Sequence, residues 1–441
     1  MKAAHEELKR VSQVWLNEAF VLHESYLLGK PGGHRLFLSF RDAQHLDFSG
    51  HDLAKAEMVA AQLSFARFVG ASLARGNLFG ANFERADMKN ADLTRADLRG
   101  TNLSGANFEN ANLHEADIRN GFILVRDKDG GLVPIHSGTT DMRGSNLTGA
   151  DLSGASLSRI VGSRTTLTNA NFKNAKLVAA DLSNSDLRGA DFSGADLTDA
   201  NMSGCIFQGA MLSGAMLNHT NLEGADLTAS HFMPSDLRYA KAEGIRLPKT
   251  IADLDKTIVE MLEDHGQWVS TLGVSGNQAD LSRVDLQNLD LSGVDLQAAI
   301  LNLTNLSYTA LRATRLIMAN MTGALAVEAD FSDADMRGVR LDGANLARAS
   351  LRSANLSPLS LIGLDGHSVP SNLCDARMDG VDLSGANVEK VDFSRAILRN
   401  ASLKDADIRE ACFMDADLTG ADLRGTTLEL ADTRGAVGLR P

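Results

Sequence analysis

The chain has 441 residues, of which 44% are hydrophobic but only 5% aromatic. Lys and Arg total 43 against 56 Asp and Glu, which gives a formal net charge of −13. Because a broad nucleic-acid-binding surface needs positive charge to pair with phosphates, direct binding of DNA or RNA is not expected. The length predicts several domains or one elongated body.

The residue types that usually build metal sites and disulfides show no organised spacing. Cys205, Cys374 and Cys412 lie far apart and lack CxxC spacing, so they indicate neither a disulfide framework nor a zinc site. The eleven histidines contain no HExxH motif, and we expect no metal and no cofactor. No apolar run approaches the roughly 18 residues of a membrane-spanning helix, and the charged start MKAAHEELKR is unlike a secretion signal. We expect a cytoplasmic protein without membrane contact.

An internal period of five residues runs through most of the sequence. From Phe48 to Ile123 every fifth residue is apolar, sixteen times in succession, which chance would produce about twice in a million trials at this composition. A small residue, usually Ala, stands two positions before most of these centres. The same lattice resumes over residues 142–237, 281–361 and 373–428.

A period of five fits neither an α-helix nor an ordinary strand, because both would scatter the apolar centres around the element. A chain that turns a corner every five residues would instead point the centre and the small residue inward together. Four corners close a coil of about 20 residues, and stacked coils pair at roughly 4.8 Å. About 16 such coils would form a body of roughly 75–80 Å with a narrow interior, where a second large side chain would overpack the core.

The repeats ANFER-ADMKN-ADLTR-ADLRG at residues 81–100 resemble the pentapeptide-repeat family, and the match extends over about three quarters of the chain. This resemblance implies a mainly β fold, the right-handed quadrilateral β-helix, and a protein that acts through its outer surface. Each coil of such a solenoid contacts only its neighbours, so its open ends need covers.

Two helical segments indicate a duplication. Apolar residues at helical spacing occur over residues 3–28 and again after Pro248, and LDFSG at 46–50 corresponds to LDLSG at 289–293. His23 with Tyr26 and His265 with Trp268 then take similar places, and we interpret both pairs as parts of caps rather than as ligand-binding sites. The predicted organisation is an N-terminal helical cap (1–45), a first β-helix (46–240), an inter-half helical segment (241–278) and a second β-helix (279–441).

The lattice is interrupted twice. Residues 124–141 carry β-formers on both sides of Asp129-Gly130, which predicts a protruding hairpin, and residues 362–372 form a second inserted loop. Each insertion is interpreted either as a partner contact or as a tolerated loop.

No constellation of catalytic residues is recognisable, and we expect that the protein is not an enzyme. The segment GKPGG at residues 29–33 lacks the spacing and the ending of a phosphate-binding loop. Carboxylates such as Asp87, Asp92 and Asp97 recur at one lattice position, so they belong to the repeat rather than to an acid/base pair.

The outside of the β-helix is therefore the candidate interaction surface. Outward residues 20 apart share a side, whereas successive outward residues five apart encircle one coil. Three apolar residues also occupy a position that is normally polar, which indicates either an interface or packing under the inter-half helix. The candidates are Glu57, Asp97 and Asp117 along one side, Asp181, Asp186, Asp191 and Asp196 around one coil, and the apolar group Ile206, Met211 and Met216.

Two functions follow from the resemblance and the surface. Family members that mimic B-form DNA bind type II topoisomerases, so the resemblance implies a gyrase partner engaged by spaced carboxylates. The alternative is a structural scaffold or adaptor without a topoisomerase role. A continuous acidic stripe would favour mimicry, whereas alternating charges would favour the scaffold. The sequence leaves homodimerisation open.

Overall fold

A computed structural model describes residues 8–126, 132–232, 234–360 and 367–439. The chain forms two compact units, the first comprising Met1–Phe207, Met211–Asp226 and Phe232–Ile245, and the second Gln208–Ala210, Leu227–His231 and Arg246–Pro441. The helices and strands are β1 (Lys9–Arg10), α1 (Gln13–Leu27), β2 (Arg41–Asp42), β3 (Gly121–Arg126), β4 (Leu132–Gly138), α2 (Ile258–Ser270), β5 (Leu359–Ser360) and β6 (Ser368–Val369), with short 3₁₀ turns at Pro234–Tyr239, Ile251–Asp253 and Leu428–Leu430.

Parallel bridges between residues 20 apart build the body of each unit. Glu57 pairs with Asn77, Asn77 with Asp97, and Asp97 with Asp117, and equivalent ladders run through the residues five, ten and fifteen positions further along. Main-chain N–H groups of one coil donate hydrogen bonds to carbonyl oxygens of the next coil. Leu53 N, for example, donates to the Ser72 oxygen at 2.7 Å. Four ladders separated by corners make the expected quadrilateral β-helix, in which each side is too short to count as a regular strand.

The interior contains the residues that the five-residue period selects. The centres and the small residues two positions before them are buried, from Phe48 and Ala56 in the first unit to Phe413 and Ala416 in the second. Aromatic centres 20 residues apart stack through successive coils, with ring centroids 4.3 Å apart for Phe48 and Phe68. The prediction of a single slender core in each β-helix is confirmed.

The corners are tight turns with a left-handed residue. Ala56 N donates to the Leu53 oxygen at 3.0 Å, and Lys55 between them has φ of 63°. A positive φ at the third residue of a four-residue turn is the signature of a type II turn, which favours glycine. Glycine fills this position at many corners, but alanine, arginine and even phenylalanine hold it at others, with φ of 52° at Ala60.

The first β-helix begins before Leu46, where the repeat was expected to start. The first bridge between residues 20 apart joins Phe37 to Glu57, and Leu38 and Ala43 are buried in the interior like later centres. Leu38 and Ala43 continue the five-residue period before Phe48, but this first coil lacks the Ala-Asp signature that marks the later repeats.

Both interruptions leave the lattice and return to it in register. Asp117 pairs with Ser156, 39 residues on instead of 20, and β3 and β4 pair antiparallel within this insertion. In the second unit Arg340 pairs with Asn372, 32 residues on, and β5 pairs antiparallel with β6. The predicted turn at Asp129-Gly130 and residues 362–366 of the second loop lie outside the described residues.

Each β-helix is preceded by a helix that contributes a buried histidine. His23 of α1 accepts from Leu36 N at Nδ1 (2.9 Å), so its other nitrogen, Nε2, carries the proton and donates to the Ala54 oxygen at 3.1 Å. His265 of α2 accepts from Ala279 N at Nδ1, at 3.0 Å. Both imidazoles are therefore held neutral, and burial lowers the pKa of each below its ordinary value. Within the described residues, no helix has the length and apolar character needed to span a bilayer.

Neighbouring alanines at a corner allow a matched test of backbone strain. Ala60→Gly should raise the free energy of unfolding by about 0.5–1 kcal/mol, because relief of the left-handed strain exceeds the entropic cost of glycine. Ala61→Gly, at a buried position without positive φ, should lower it by about 1–2 kcal/mol. Urea unfolding of both variants measures the two changes in the free energy of unfolding. Equal signs would contradict this assignment, and Ala179→Gly with Ala180→Gly repeats the test in another coil.

The histidine caps predict a pH dependence of stability. Since the folded pKa of His23 and of His265 lies below the unfolded value of about 6.5, both contribute fully above pH 6.5. Their contribution is lost as the pH falls from there towards the folded pKa. The urea midpoint should therefore drop between pH 7.5 and 5.5, and the double variant His23→Gln/His265→Gln should show a smaller drop. Substituting the exposed His219 by Gln is the matched control for the loss of an imidazole.

Candidate interaction surface

The acidic positions outside the β-helix first of all stabilise its turns. The residue before each centre and the residue after it both face outward, since the chain alternates along each side. The carboxylate or amide at the first position accepts the backbone N–H at the second, as from Ala54 N to Asp52 Oδ1 at 3.0 Å. Asn82 accepts from Glu84 N in the same way at 3.1 Å. Aspartate and asparagine are therefore interchangeable structural residues at this position.

Side-chain amides also connect successive coils. Asn77 Nδ2 donates to Glu57 Oε1 at 2.6 Å, and Asn201 Nδ2 donates to Asp181 Oδ1 at 3.0 Å. Each of these bonds joins residues 20 apart in one ladder, so it reinforces the stacking of the backbone bridges.

The structure brings Glu57, Asp97 and Asp117 together in one ladder, as the sequence predicted, but it pairs each of them with a cation. Arg35 lies 2.9 Å from Glu57, and Arg99 donates to both oxygens of Asp97 at 2.9 and 2.7 Å.

Asp117 is held in the same way by Arg119, and Arg99 Nε lies 3.6 Å from Asp117 Oδ2. Burial acts to raise the pKa of Asp117, but the hydrogen bonds from Arg119 and the nearby guanidinium charges outweigh it and hold this pKa below its ordinary value. Along this side, acidic and basic groups alternate.

This pairing is a local property of the sequence that the lattice analysis missed. Aspartate at the first outward position and arginine at the second are two residues apart, which places both on one side of one coil. The signal was present as the motif Asp-x-Arg. It forms ion pairs of 2.5–2.7 Å at Asp97–Arg99, Asp117–Arg119, Asp141–Arg143, Asp186–Arg188, Asp335–Arg337, Asp407–Arg409, Asp422–Arg424 and Asp432–Arg434.

The four aspartates predicted to encircle one coil do lie in four different ladders. Asp186 pairs with Arg188, and the buried Asp191 lies 3.1 Å from Lys173. Asp181 and Asp196 accept backbone N–H groups two residues on, at 3.0 and 3.1 Å. Half of this ring is therefore compensated by basic side chains.

Ile206, Met211 and Met216 are not brought together. They belong to three different ladders, so they face three sides of the coil. Ile206 and Met216 are 38% and 47% exposed, whereas Met211 is only 4% exposed. The expected contiguous apolar patch does not exist, because a spacing of five advances the chain by one corner and only a spacing of 20 returns it to the same side.

Two of the three cysteines are poorly suited to act as nucleophiles. Burial raises the pKa of the Cys205 thiol to about 12, and burial together with Asp375 does the same for Cys374. Both therefore remain protonated thiols near neutral pH, which makes them poor nucleophiles. Among the described residues, no group of three or more His, Cys, Asp or Glu side chains is arranged to hold a metal ion.

The sequence matches the family profile described as Pentapeptide repeats (8 copies) over residues 56–121, 140–229, 279–357 and 376–436, more than half of the chain. The chain belongs to the pentapeptide-repeat family. No curated protein matches its sequence.

Among solved structures, the chain is similar to full-length QnrB1, a plasmid-mediated fluoroquinolone resistance protein, with 19% identity over 55% of this chain and 99% of that one and a TM-score of 0.27. It is also similar to HetL from the cyanobacterium Nostoc sp. strain PCC 7120, involved in heterocyst differentiation regulation, with 18% identity over 94% of both chains and a TM-score of 0.13. A pentapeptide repeat protein of the Arabidopsis thaliana thylakoid lumen is 38% identical over 21% of this chain and 68% of that one, with a TM-score of 0.14.

The dual role of the outward aspartate can be separated by substitution at Asp141. Asp141→Ala removes the acceptor for Arg143 N and should lower the free energy of unfolding by about 1 kcal/mol, as loss of a comparable helix cap does. Asp141→Asn keeps the acceptor and should retain most of the stability. Arg143→Gln should cost less than about 1 kcal/mol, since the ion pair is exposed to solvent. Chemical denaturation ranks the three, and a larger loss for Arg143→Gln than for Asp141→Ala would contradict the assignment.

Proposed function

We propose that this protein is a non-catalytic scaffold that binds other proteins through the outer surface of its β-helices. The observation that carries the proposal is the pairing of outward aspartates with arginines two residues further on, as in Asp97–Arg99 and Asp335–Arg337. A surface of alternating charges favours contacts with a mixed protein surface over contacts with a site built for uniform negative charge.

The pairing bears directly on the topoisomerase hypothesis. Mimicry of DNA requires a row of uncompensated negative charges that replaces the phosphates in a basic groove. In this protein the predicted row of acids along one ladder is paired with arginines. The ion pairs are Arg35–Glu57, Arg99–Asp97 and Arg119–Asp117. These guanidinium groups would be repelled by a basic groove. The fields of the alternating carboxylates and guanidinium groups also cancel within about one Debye length of 8–10 Å. Gyrase binding by DNA mimicry is accordingly the less favoured proposal.

A supercoiling assay with a type II topoisomerase, run at low and at physiological salt, separates the two functions. We expect that the protein does not inhibit supercoiling and does not compete with DNA for the enzyme. The variant Arg99→Gln/Arg119→Gln exposes the acidic side and is the matched control, because any inhibition that it acquires would show that the assay detects an acidic stripe.

Inhibition by the wild-type protein that disappears in Asp97→Asn/Asp117→Asn would overturn the scaffold proposal and support mimicry. For the scaffold, partners recovered by co-purification should remain bound after nuclease treatment and in the presence of competitor DNA.

A further inference from the structure

The outer face of helix α1 is apolar although α1 already buries another face against the β-helix. Inward, Leu16, Phe20 and His23 are buried against the first coil, where Phe20 contacts Phe48 and His51. Outward, six large apolar side chains are between 37% and 70% exposed: Val14, Trp15, Val21, Leu22, Tyr26 and Leu28. A helix on the surface of a globular protein normally turns its apolar residues to the core and polar residues to solvent, so these exposed apolar side chains need another explanation.

Helix α2 shows that capping does not require such a face. The two helices are equivalent, because His23 and His265 both accept a backbone N–H of the following coil and stack on an aromatic residue three positions later. In this alignment four exposed apolar residues in or beside α1 correspond to polar residues in or beside α2: Val14 to Lys256, Val21 to Glu263, Leu22 to Asp264 and Leu28 to Ser270. Lys256, just before α2, forms an ion pair with Asp264 of α2 on this face.

We propose that two copies of this chain associate through the outer faces of their α1 helices, packed antiparallel about a two-fold axis. The exposed parts of the six side chains sum to roughly 600 Å², the upper end for an apolar patch on an ordinary monomer. With a polar rim, this area approaches the roughly 800 Å² per partner of a stable interface. The inference is independent of the proposed scaffold function.

The charges on α1 favour a second copy over a lipid surface. Between Val11 and Gly29 the only acidic residues are Glu18 and Glu24, and there is no Lys or Arg. Helices that lie on membranes carry basic residues beside their apolar face, because the lipid surface is anionic. A negatively charged apolar helix is instead suited to another helix.

The register follows from the sequence of the face. In an antiparallel pair with its axis between Val21 and Leu22, Trp15 of each copy lies at the level of Leu28 of the other. Glu18, the acidic residue within the face, then lies opposite the Ser25 hydroxyl, which can donate to it. A parallel pairing would place Glu18 against Glu18, and the repulsion of like charges disfavours it.

The test transplants the residues of α2 onto α1. Wild-type protein should be a dimer at micromolar concentration by light scattering and sedimentation velocity. Val21→Glu/Leu22→Asp should weaken dimerisation by about 100-fold or more while the thermal midpoint of the monomer stays within a few degrees, since α2 caps its β-helix with the same residues. Val259→Glu, on the exposed face of α2, is the matched control and should leave the dimer intact.

Cysteine cross-linking tests the antiparallel register of the two α1 helices without a measurement of affinity. A mixture of Trp15→Cys and Leu28→Cys chains, with the three native cysteines replaced by serine, should form the mixed disulfide faster than either variant links to itself. A monomer at all concentrations, a dimer that Val21→Glu/Leu22→Asp leaves intact, or faster linkage of Trp15→Cys to itself would each overturn the proposal. Binding of the wild-type monomer to anionic vesicles without self-association would overturn it as well.

Discussion

The structure depends on one constraint: a chain that turns a corner every five residues encloses an interior only wide enough for one large and one small side chain per side. Leu, Phe or Met at the centre and Ala two positions earlier satisfy this limit, and both are buried in coil after coil. Because the corners are spaced evenly, each residue returns to the same side after 20 positions, where its backbone pairs with the coil before and after it. Core packing and backbone pairing therefore support each other, and neither is stable without the other.

The same constraint determines what the outer surface can be. On each side of a coil two positions face outward. The first is most often Asp or Asn, because its side chain accepts a backbone N–H in the turn. The negative charge of this protein is thus largely a consequence of its fold. Where arginine takes the second outward position, as at Arg99 and Arg119, that charge is compensated locally. An acidic composition in this family does not by itself imply an acidic binding surface.

The two capping helices separate the requirements of the fold from those of another role. Both supply a neutral, buried histidine to the first backbone N–H of a β-helix, which would otherwise lack a partner. Their inward faces are alike because the task is the same. Their outward faces differ in polarity at equivalent positions. No capping requirement explains this difference, and the proposed association of two α1 helices would account for it.

The five-residue period determined the fold class, the buried centres, the duplication and the shared ladder of Glu57, Asp97 and Asp117, because each follows from counting along a regular coil. The Asp-x-Arg motif in the sequence also predicts that arginines neutralise Asp97 and Asp117, but the five-residue period does not show it. Only the tertiary structure decided that Ile206, Met211 and Met216 face different sides, that the first coil begins near Phe37, and that α1 exposes one of its apolar faces. The reason is physical: a regular repeat specifies contacts between neighbouring coils, but the exposure of a side chain depends on everything else that packs against it.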